Sequence, residues 1–369
     1  MSKIKLNKLR AEINQIDYQV LELAKKRLAT VKKISQLKNA SGLSIRDFSR
    51  EKQCLDFSAK AAKELKLSPK FAKEILHLFM QESLTAQEKD RLAGHSTQNS
   101  KTALILGGAG KMGLWFARFL SSQGFDTKIS DPQTGDAGFS NIYPHAPSAL
   151  IYDIIVVATP LSVTAKILKE LAKHPPRGLI FDISSLKDPI RPGLDALSKA
   201  GAKVTSIHPM FGPNTELLAD RHVIVVDIGQ PDANLAAASL FTATTVKINY
   251  MDIDDHDRLM AYLLGLSHAL NIAFFSVLAQ SGEAAAKLMN LSSSTFDAQL
   301  KIAGHVAEEN PDLYFEIQAL NPYGDESLQK LASVMEEMRH MIKVKDQKGF
   351  TELMQNGYDY LTLRQNKRI

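Results

Sequence analysis

From Leu6 to Asn39 there is no Gly or Pro, and apolar residues fall at Leu9, Ile13, Ile16, Val20 and Leu23, then at Ile34 and Leu37. The steps alternate between four and three, a heptad seam that predicts one unbroken helix. At 1.5 Å per residue such a helix runs roughly 50 Å, too long for a small module to cover alone, so a partner chain is expected against it. Where the seam calls for an apolar residue it holds Arg27. A buried Arg without a partner is costly, so an acidic neighbour or an anionic ligand is expected there. A second helix is expected from about Ile45, with Ser44 and Asp47 spaced as a capping box; Asp47, Arg50 and Glu51 then share one face. A third starts at Ser68-Pro69, a cap followed by a first-turn proline, and its apolar face (Phe71, Ile75, Phe79) turns polar at Ser83 and Gln87.

The pattern changes after the polar, aperiodic stretch 93–100, which reads as a linker. The apolar run 103–106 leads into Gly107-Gly108-Ala109-Gly110-Lys111-Met112-Gly113, then a helical pattern with Trp115, Phe116, Phe119 and Leu120, then a second short run ending in Asp131. Strand, glycine turn and helix come in the order a dinucleotide needs. Gly108 is expected to permit the tight turn, Gly110 to let the backbone approach a pyrophosphate, and Gly113 to let the helix press on the strand. Asp131 would accept hydrogen bonds from the adenosine ribose and repel a 2′-phosphate, which favours NAD over NADP. Further apolar runs at 154–158, 179–182 and 204–207 predict an open parallel sheet. Ligands on such sheets lie at the carboxyl ends of strands, where Thr159-Pro160, Ser184 to Lys187 and His208-Pro209-Met210-Phe211-Gly212-Pro213 fall. The candidate cofactor-binding residues are Gly108, Gly110, Lys111, Met112, Gly113, Asp131 and Thr159. His208, in a loop stiffened by two prolines, is suited to take a hydroxyl proton. From Met251 onward the pattern is helical, in segments at 254–279, 295–308, 311–320, 326–343 and 346–363.

Composition narrows the class. With 369 residues, 44% hydrophobic and 23% charged, the chain is long enough for two or three domains. The net charge of +5 is small and its basic residues are dispersed, which argues against nucleic acid and leaves acidic small substrates. The lone Cys54 forms no internal disulfide and the first residues hold no signal-peptide core, so a cytoplasmic protein is expected. The most apolar window, 262–279, carries Ser267, His268, Asn271 and Ser276, so a buried helix is expected there and no membrane span. No metal site is expected.

Arg10, Arg27, Lys38, Asp47, Arg50, Glu51, Ser83 and Gln87, with these separations on three helices, resemble the active-site set of the all-helical chorismate mutases. That reaction, a [3,3] rearrangement of a dicarboxylate, needs only a site that holds the reactive conformer and stabilises charge on the breaking ether oxygen. The resemblance implies that Arg10, from the partner chain, and Arg27 hold carboxylates, that Lys38 and Gln87 donate to the ether oxygen, and that the others complete a polar cage. It also implies an intertwined dimer through the first helix. The glycine turn, the strand end Asp182 to Lys187 and the His208 loop resemble prephenate dehydrogenase. Together the halves look like the fused chorismate mutase and prephenate dehydrogenase family.

The resemblance implies a multidomain α and α/β chain. An all-helical mutase module (1–92) and a linker (93–100) precede a Rossmann NAD-binding domain (101–250) and a helical domain (251–369) for the substrate cleft and dimer contact. Chorismate would become prephenate, then 4-hydroxyphenylpyruvate as hydride passes from C4 to NAD and the ring carboxylate leaves as carbon dioxide. His208 would accept a hydrogen bond from the 4-hydroxyl, Ser185 would orient His208, and Lys187 would add positive charge nearby. His268 falls on the family's substrate-binding histidine. His305 stands where the family has a carboxylate-clamping arginine, and Asp297 where it has a further arginine. Histidine lacks the permanent bidentate grip of arginine, which keeps two alternatives open. One is the same chemistry on 4-amino-4-deoxychorismate and its prephenate; the other is a working mutase on a non-catalytic dehydrogenase-like scaffold.

Overall fold

The computed structural model describes residues 2–95, 101–133, 138–144 and 150–366. The chain forms two compact units, Met1–Ser184 with Ile190–Asp252, and Ser185–Pro189 with Ile253–Ile369.

The first unit opens with three helices, α1 (Ser2–Ala40), α2 (Phe48–Glu64) and α3 (Pro69–His95). At 39 residues α1 is about 58 Å long. Its apolar seam is exposed at both ends, Leu9, Ile13 and Leu23 by 51%, 56% and 63% and Ile34 and Leu37 by 44% and 70%; the residues that α1 buries toward its C-terminus, Val31 and Ser35, are not seam residues. The expected capping box does not form: Asp47 is itself the cap, accepting from the Arg50 amide at 2.9 Å, and α2 starts three residues later than Ile45. Ile45 is buried instead. Helix α3 begins on its proline as expected and continues to His95, so it enters the stretch read as a linker; residues 96–100 of that linker lie outside the described residues.

Seven strands follow: β1 (Thr102–Leu106), β2 (Asp126–Ser130), β3 (Ile154–Val157), β4 (Leu179–Asp182), β5 (Lys203–Pro209), β6 (His222–Asp227) and β7 (Lys247–Asp252). They form one sheet in the order β2-β1-β3-β4-β5-β6-β7. Its pairs are parallel, as expected among β1 to β5, except β5 with β6, which is antiparallel; β6 was not among the strands expected from the sequence. The reason lies in the connection. Residues 210–221 contain no helix, and without a crossover helix the chain returns beside itself in the opposite direction. Strand β7 also carries the sheet through Met251 and Asp252, where helix was expected.

Helices α4 (Lys111–Ser122), α5 (Leu161–Lys173), α6 (Arg191–Lys199) and α7 (Pro231–Ser239) complete the first unit. Its core is the buried strand residues with Phe116, Phe119, Phe181 and Phe241; Phe119 stacks on Phe241 with centroids 5.1 Å apart. Leu92 of α3 packs on this cluster, which joins the helical module to the sheet. Because β1 has β2 on one side and β3 on the other, the chain's direction of winding switches at β1. A crevice at such a point receives nucleotides.

The second unit is helical: α8 (Ile253–Met260), a π-helical turn (Ala261–Leu266), α9 (Ser267–Gln280), α10 (Ala285–Asn290), α11 (Ser294–Ala307), α12 (Pro311–Ala319), α13 (Gly324–Val344) and α14 (Gln347–Asn366). Only the short α10 was absent from the sequence expectation. By length and composition Ile253–Gln280 could cross a membrane, with a mean hydropathy of 1.6. Only 17% of its apolar window is buried inside the chain, where a buried helix was expected, and its exposed apolar residues include Leu263, Leu270 and Val277; Asn271 is among the buried ones and accepts from the Gln299 amide of α11 at 2.8 Å.

Candidate active site

A cavity of about 520 Å³ lies among α1, α2 and α3. Of the eight residues singled out on these helices, seven line it: Arg27, Lys38, Asp47, Arg50, Glu51, Ser83 and Gln87. Arg10 does not; it lies on the exposed N-terminal half of α1. The Arg27 guanidinium donates to the Phe79 carbonyl at 2.8 Å and to the Ser83 hydroxyl, and sits 5.3 Å over the Phe79 ring. Burial lowers its pKa, a shift that a guanidinium survives fully charged. Lys38 Nζ donates to the Ile45 carbonyl at 2.7 Å. Gln87 Nε2 donates to the Ser83 carbonyl at 3.2 Å, while its Oε1 is buried without a partner among the described residues. A primary amide has two N–H groups, so one remains for a ligand.

The charge balance of this cavity is uneven. Arg46, just outside it, takes Glu51 in a two-pronged pair at 2.8 and 3.1 Å, which neutralises that carboxylate. Arg27, Lys38 and Arg50 then face Asp47 alone. A partly closed cavity with surplus positive charge is built for a compact anion. Its apolar walls, Val31, Ile34, Ile45, Met80 and Leu84, were not foreseen from the sequence; nor was Cys54, although it lies on the Arg50 and Glu51 face of α2 at helical spacing.

The second candidate site lies at the switch point of the sheet. The positive φ that tightens the turn is at Gly107 (81°), not at Gly108. Gly108 is needed for a different reason: a Cβ there would stand 2.4 Å from Ile129 Cβ of β2. Gly113 does what was expected, since a Cβ would meet the Gly107 carbonyl oxygen at 2.1 Å. At Gly110 an added Cβ would stand 3.3 Å from the Gly107 carbonyl oxygen, tighter than an ordinary contact, so a bare backbone suits the tight approach to the start of α4. Asp131 is buried beside the turn, with Oδ2 accepting from the Ala109 amide at 3.0 Å and Oδ1 from the Gln133 amide at 2.8 Å. Lys111 and Met112 form the first turn of α4, and a Cβ at Gly107 would also touch Thr159 Cγ2, at 2.7 Å. Thr159 lies just beyond β3 and shares a hydrogen bond with Thr164 at 2.8 Å. These residues fit a dinucleotide: a cleared backbone, a helix N-terminus and a buried carboxylate in the positions the ligand requires.

His208 is buried at the end of β5, paired across the ladder with Ile224. The connection after it is braced by Trp115 of α4, whose indole N–H donates to the Thr215 carbonyl at 2.9 Å and whose ring lies 5.0 Å from that of Phe211.

In the second unit, Asp257 was not foreseen. Its carboxylate accepts from the amides of Lys187 (2.8 and 3.0 Å) and Asp188 (2.8 Å) and from His256 Nδ1 (2.6 Å). It thereby fixes the turn holding Ser185, which is half-buried, and Lys187, which is fully buried. Asp257 lies 70 residues beyond Lys187, and no local spacing signals the contact. His268 of α9 packs on Tyr314 of α12 with ring centroids 4.2 Å apart. His305 and Lys301 are exposed on α11. Asp297, in the first turn of that helix, accepts from the Ser292 hydroxyl, a local bond at a helix start that suits an acid.

Burial pushes the His268 pKa down from 6.5 to about 4. The folded protein therefore favours the neutral ring, and this contribution to stability is complete above pH 6.5 and is lost as the pH falls toward 4. An NMR titration of the His268 ring is expected to give a midpoint of about 4; a midpoint at 6.5 would show the ring to be solvated.

Comparison with known proteins finds a family match for each part of the chain. The chorismate mutase type II family matches residues 9–88, the nucleotide-binding domain of prephenate dehydrogenase matches 117–250, and the dimerization domain of prephenate dehydrogenase matches 252–356. The T-protein of Enterobacter agglomerans is 28% identical over 313 residues, covering 85% of this chain and 81% of that one. The T-protein of Haemophilus influenzae is 26% identical over 359 residues, covering 96% and 92%. Among solved structures, the prephenate dehydrogenase of A. aeolicus, in complex with hydroxyphenyl propionate and NAD+, shares the fold with a TM-score of 0.56 at 15% identity. It covers 72% of this chain and 99% of that one. The glycine turn at 107–113 precedes the nucleotide-binding match, so its reading rests on its own geometry.

Proposed function

The chain belongs to the fused chorismate mutase and prephenate dehydrogenase enzymes of tyrosine biosynthesis, and from that premise we propose which of its residues carry each reaction. In the helical cavity Arg27 holds a carboxylate of chorismate, and Lys38 and Gln87 donate to the ether oxygen as its bond to the ring breaks. The observation that carries this reading is the surplus of positive charge around one cavity once Glu51 is paired with Arg46. Positioned donors aimed at developing charge in an enclosed site are worth more than in water and need no reorganisation. The apolar walls hold the folded conformer of the substrate, a gain in proximity and orientation. Asp47, Arg50 and Ser83 orient the ring hydroxyl and the second carboxylate.

Arg10 completes this cavity from a second copy of the chain. Support comes from the exposed apolar residues along the N-terminal half of α1, which a second α1 would cover, and from the dimerization-domain match. The protein works as a homodimer in the cytoplasm, where its single Cys54 stays reduced. Neither a membrane nor nucleic acid is a partner.

In the Rossmann domain, Gly108, Gly110, Gly113 and the start of α4 at Lys111 and Met112 cradle the pyrophosphate of NAD, Thr159 borders it, and Asp131 holds the ribose. When bound, NAD supplies the hydride acceptor for C4 of prephenate. His208 accepts the hydrogen bond of the 4-hydroxyl, drawing electron density to C4 while the ring carboxylate leaves as carbon dioxide; Ser185 orients this histidine. His268 and His305 bind the substrate, His268 as a neutral ring. Asp297 accepts from the Ser292 hydroxyl at its own helix start, a local role that needs no amino group on the substrate. The direct test is to supply the purified protein with NAD and either prephenate or 4-amino-4-deoxyprephenate while following NADH. Faster turnover of prephenate is expected, and preference for the amino compound would overturn the assignment.

The ribose role of Asp131 gives a second test. Asp131→Ala removes an acceptor for the ribose and also the brace on the Ala109 amide. NAD affinity by calorimetry should fall by about 1.5–3 kcal/mol, the range for a charged hydrogen bond, and the preference over NADP should narrow. Unchanged dissociation constants for both cofactors would reject the role.

A further inference from the structure

Consecutive residues of α3 serve two different domains. Gln87 lines the helical cavity, whereas Glu88 is buried against the sheet domain. Its Oε2 accepts from the Leu218 amide at 3.1 Å; its Oε1 accepts from the Thr245 amide at 2.8 Å and from the Thr245 hydroxyl. These partners flank β6 on both sides. Leu218 lies in the connection that leads from β5 to β6, and Thr245 just precedes β7, which pairs along the other edge of β6. A second tie runs beside the first. Arg46, which pairs with Glu51 of the helical cavity, also bonds Asp220 at 2.5 Å, and Asp220 sits in the left-handed region at φ 61°.

The connection so held is the one that leaves His208. Met210 donates its amide to the His222 carbonyl at 2.9 Å, and His208 and Pro209 pair with Ile224 and Val223. The base of this hairpin therefore contains His208, Trp115 braces its middle, and the helical module clamps its far end. Leu218 is buried, so losing its acceptor leaves an amide N–H without a partner away from water, and the segment must move to recover one.

We propose that Glu88 is a positioning residue for the dehydrogenase: by fixing residues 210–221 it sets the placement of His208, so the mutase helix α3 is a structural part of the second active site. The proposal rests on the reading of His208 given above. Displacing a reacting group by about 1 Å costs on the order of 10²-fold in rate. The Glu88 carboxylate bonds Leu218 and Thr245, neither of them assigned to chorismate, so mutase turnover is expected to survive its loss.

Three full-length variants, Glu88→Ala, Glu88→Gln and His208→Asn, are compared for mutase turnover on chorismate and for dehydrogenase kcat, KM and pH profile on prephenate with NAD. Hydrogen exchange at the Leu218 and Thr245 amides is followed alongside. Glu88→Ala is expected to lower dehydrogenase kcat by at least about tenfold, with KM for prephenate little changed, the acid limb of the kcat profile displaced, faster exchange at both amides and mutase turnover intact. Glu88→Gln keeps an acceptor oxygen and should recover most of the loss. The proposal is overturned if exchange rises in Glu88→Ala while kcat and its pH profile stay put, or if both activities fall together with no recovery in Glu88→Gln. The His208→Asn arm separates the two ideas. A silent His208→Asn defeats the assignment of His208 itself, whereas loss in His208→Asn with a silent Glu88→Ala defeats only the role of Glu88.

Discussion

His208→Asn is expected to lower the dehydrogenase kcat by about 10²–10⁴, the usual worth of a positioned proton acceptor, and to leave mutase turnover at the wild-type level. The separation follows from the architecture. His208 lies near the end of β5 in the sheet domain, and the mutase residues of this chain line a cavity among α1, α2, α3 and the α1–α2 connection. Asparagine preserves a side chain that can hydrogen-bond but cannot carry the proton, so folding of the β5–β6 hairpin should survive. Steady-state assays of both reactions on one preparation give the answer. Equal loss of both activities would indicate a folding defect, and full retention of the dehydrogenase would remove His208 from the chemistry.

Lys38→Met should have the second-largest effect. Methionine keeps much of the length and loses the charge and the donors. If Lys38 stabilises charge on the ether oxygen, mutase kcat should fall by about 10²–10³, as when one donor of an oxyanion site is removed, and dehydrogenase activity on supplied prephenate should be unchanged. Part of the loss has a structural origin, because Nζ also ties the end of α1 to the Ile45 carbonyl at 2.7 Å. Circular dichroism and thermal melting separate that contribution. Retained kcat with normal melting would assign charge stabilisation to Gln87 and Arg27 instead.

The sequence was most informative where the physics is local. A heptad seam of apolar residues is enough to specify α1, and the spacing of Arg27, Lys38, Asp47, Arg50, Glu51, Ser83 and Gln87 put them around one cavity because helical periodicity fixes which side chains share a face. Gly113 was legible for a similar reason: the contact it permits, with Gly107, is six residues away. Errors of detail arose where two local rules compete. Ser44 and Asp47 satisfy the capping-box spacing, but Ile45 is more stable buried against the cavity than on the outside of a helical first turn, so Asp47 caps instead. The tight turn fell to Gly107 because Gly108 is pressed against Ile129 of a strand that only the fold brings near. The antiparallel β6 required knowing that residues 210–221 form no crossover helix. Contacts of Glu88 with Thr245, Arg46 with Asp220 and Asp257 with Lys187 span 157, 174 and 70 residues, and no periodicity encodes them. Even the surplus charge of the helical cavity depends on Arg46, which reads in sequence as one more surface cation.

That one chain performs both reactions is tested by supplying chorismate alone, with NAD, to the purified protein while chorismate loss and NADH formation are recorded together. The expected result is immediate loss of chorismate and formation of NADH after a lag, with one NADH formed per chorismate consumed at completion and the lag abolished when prephenate is supplied instead. Consumption of chorismate with no NADH, even after prephenate is added, would contradict it.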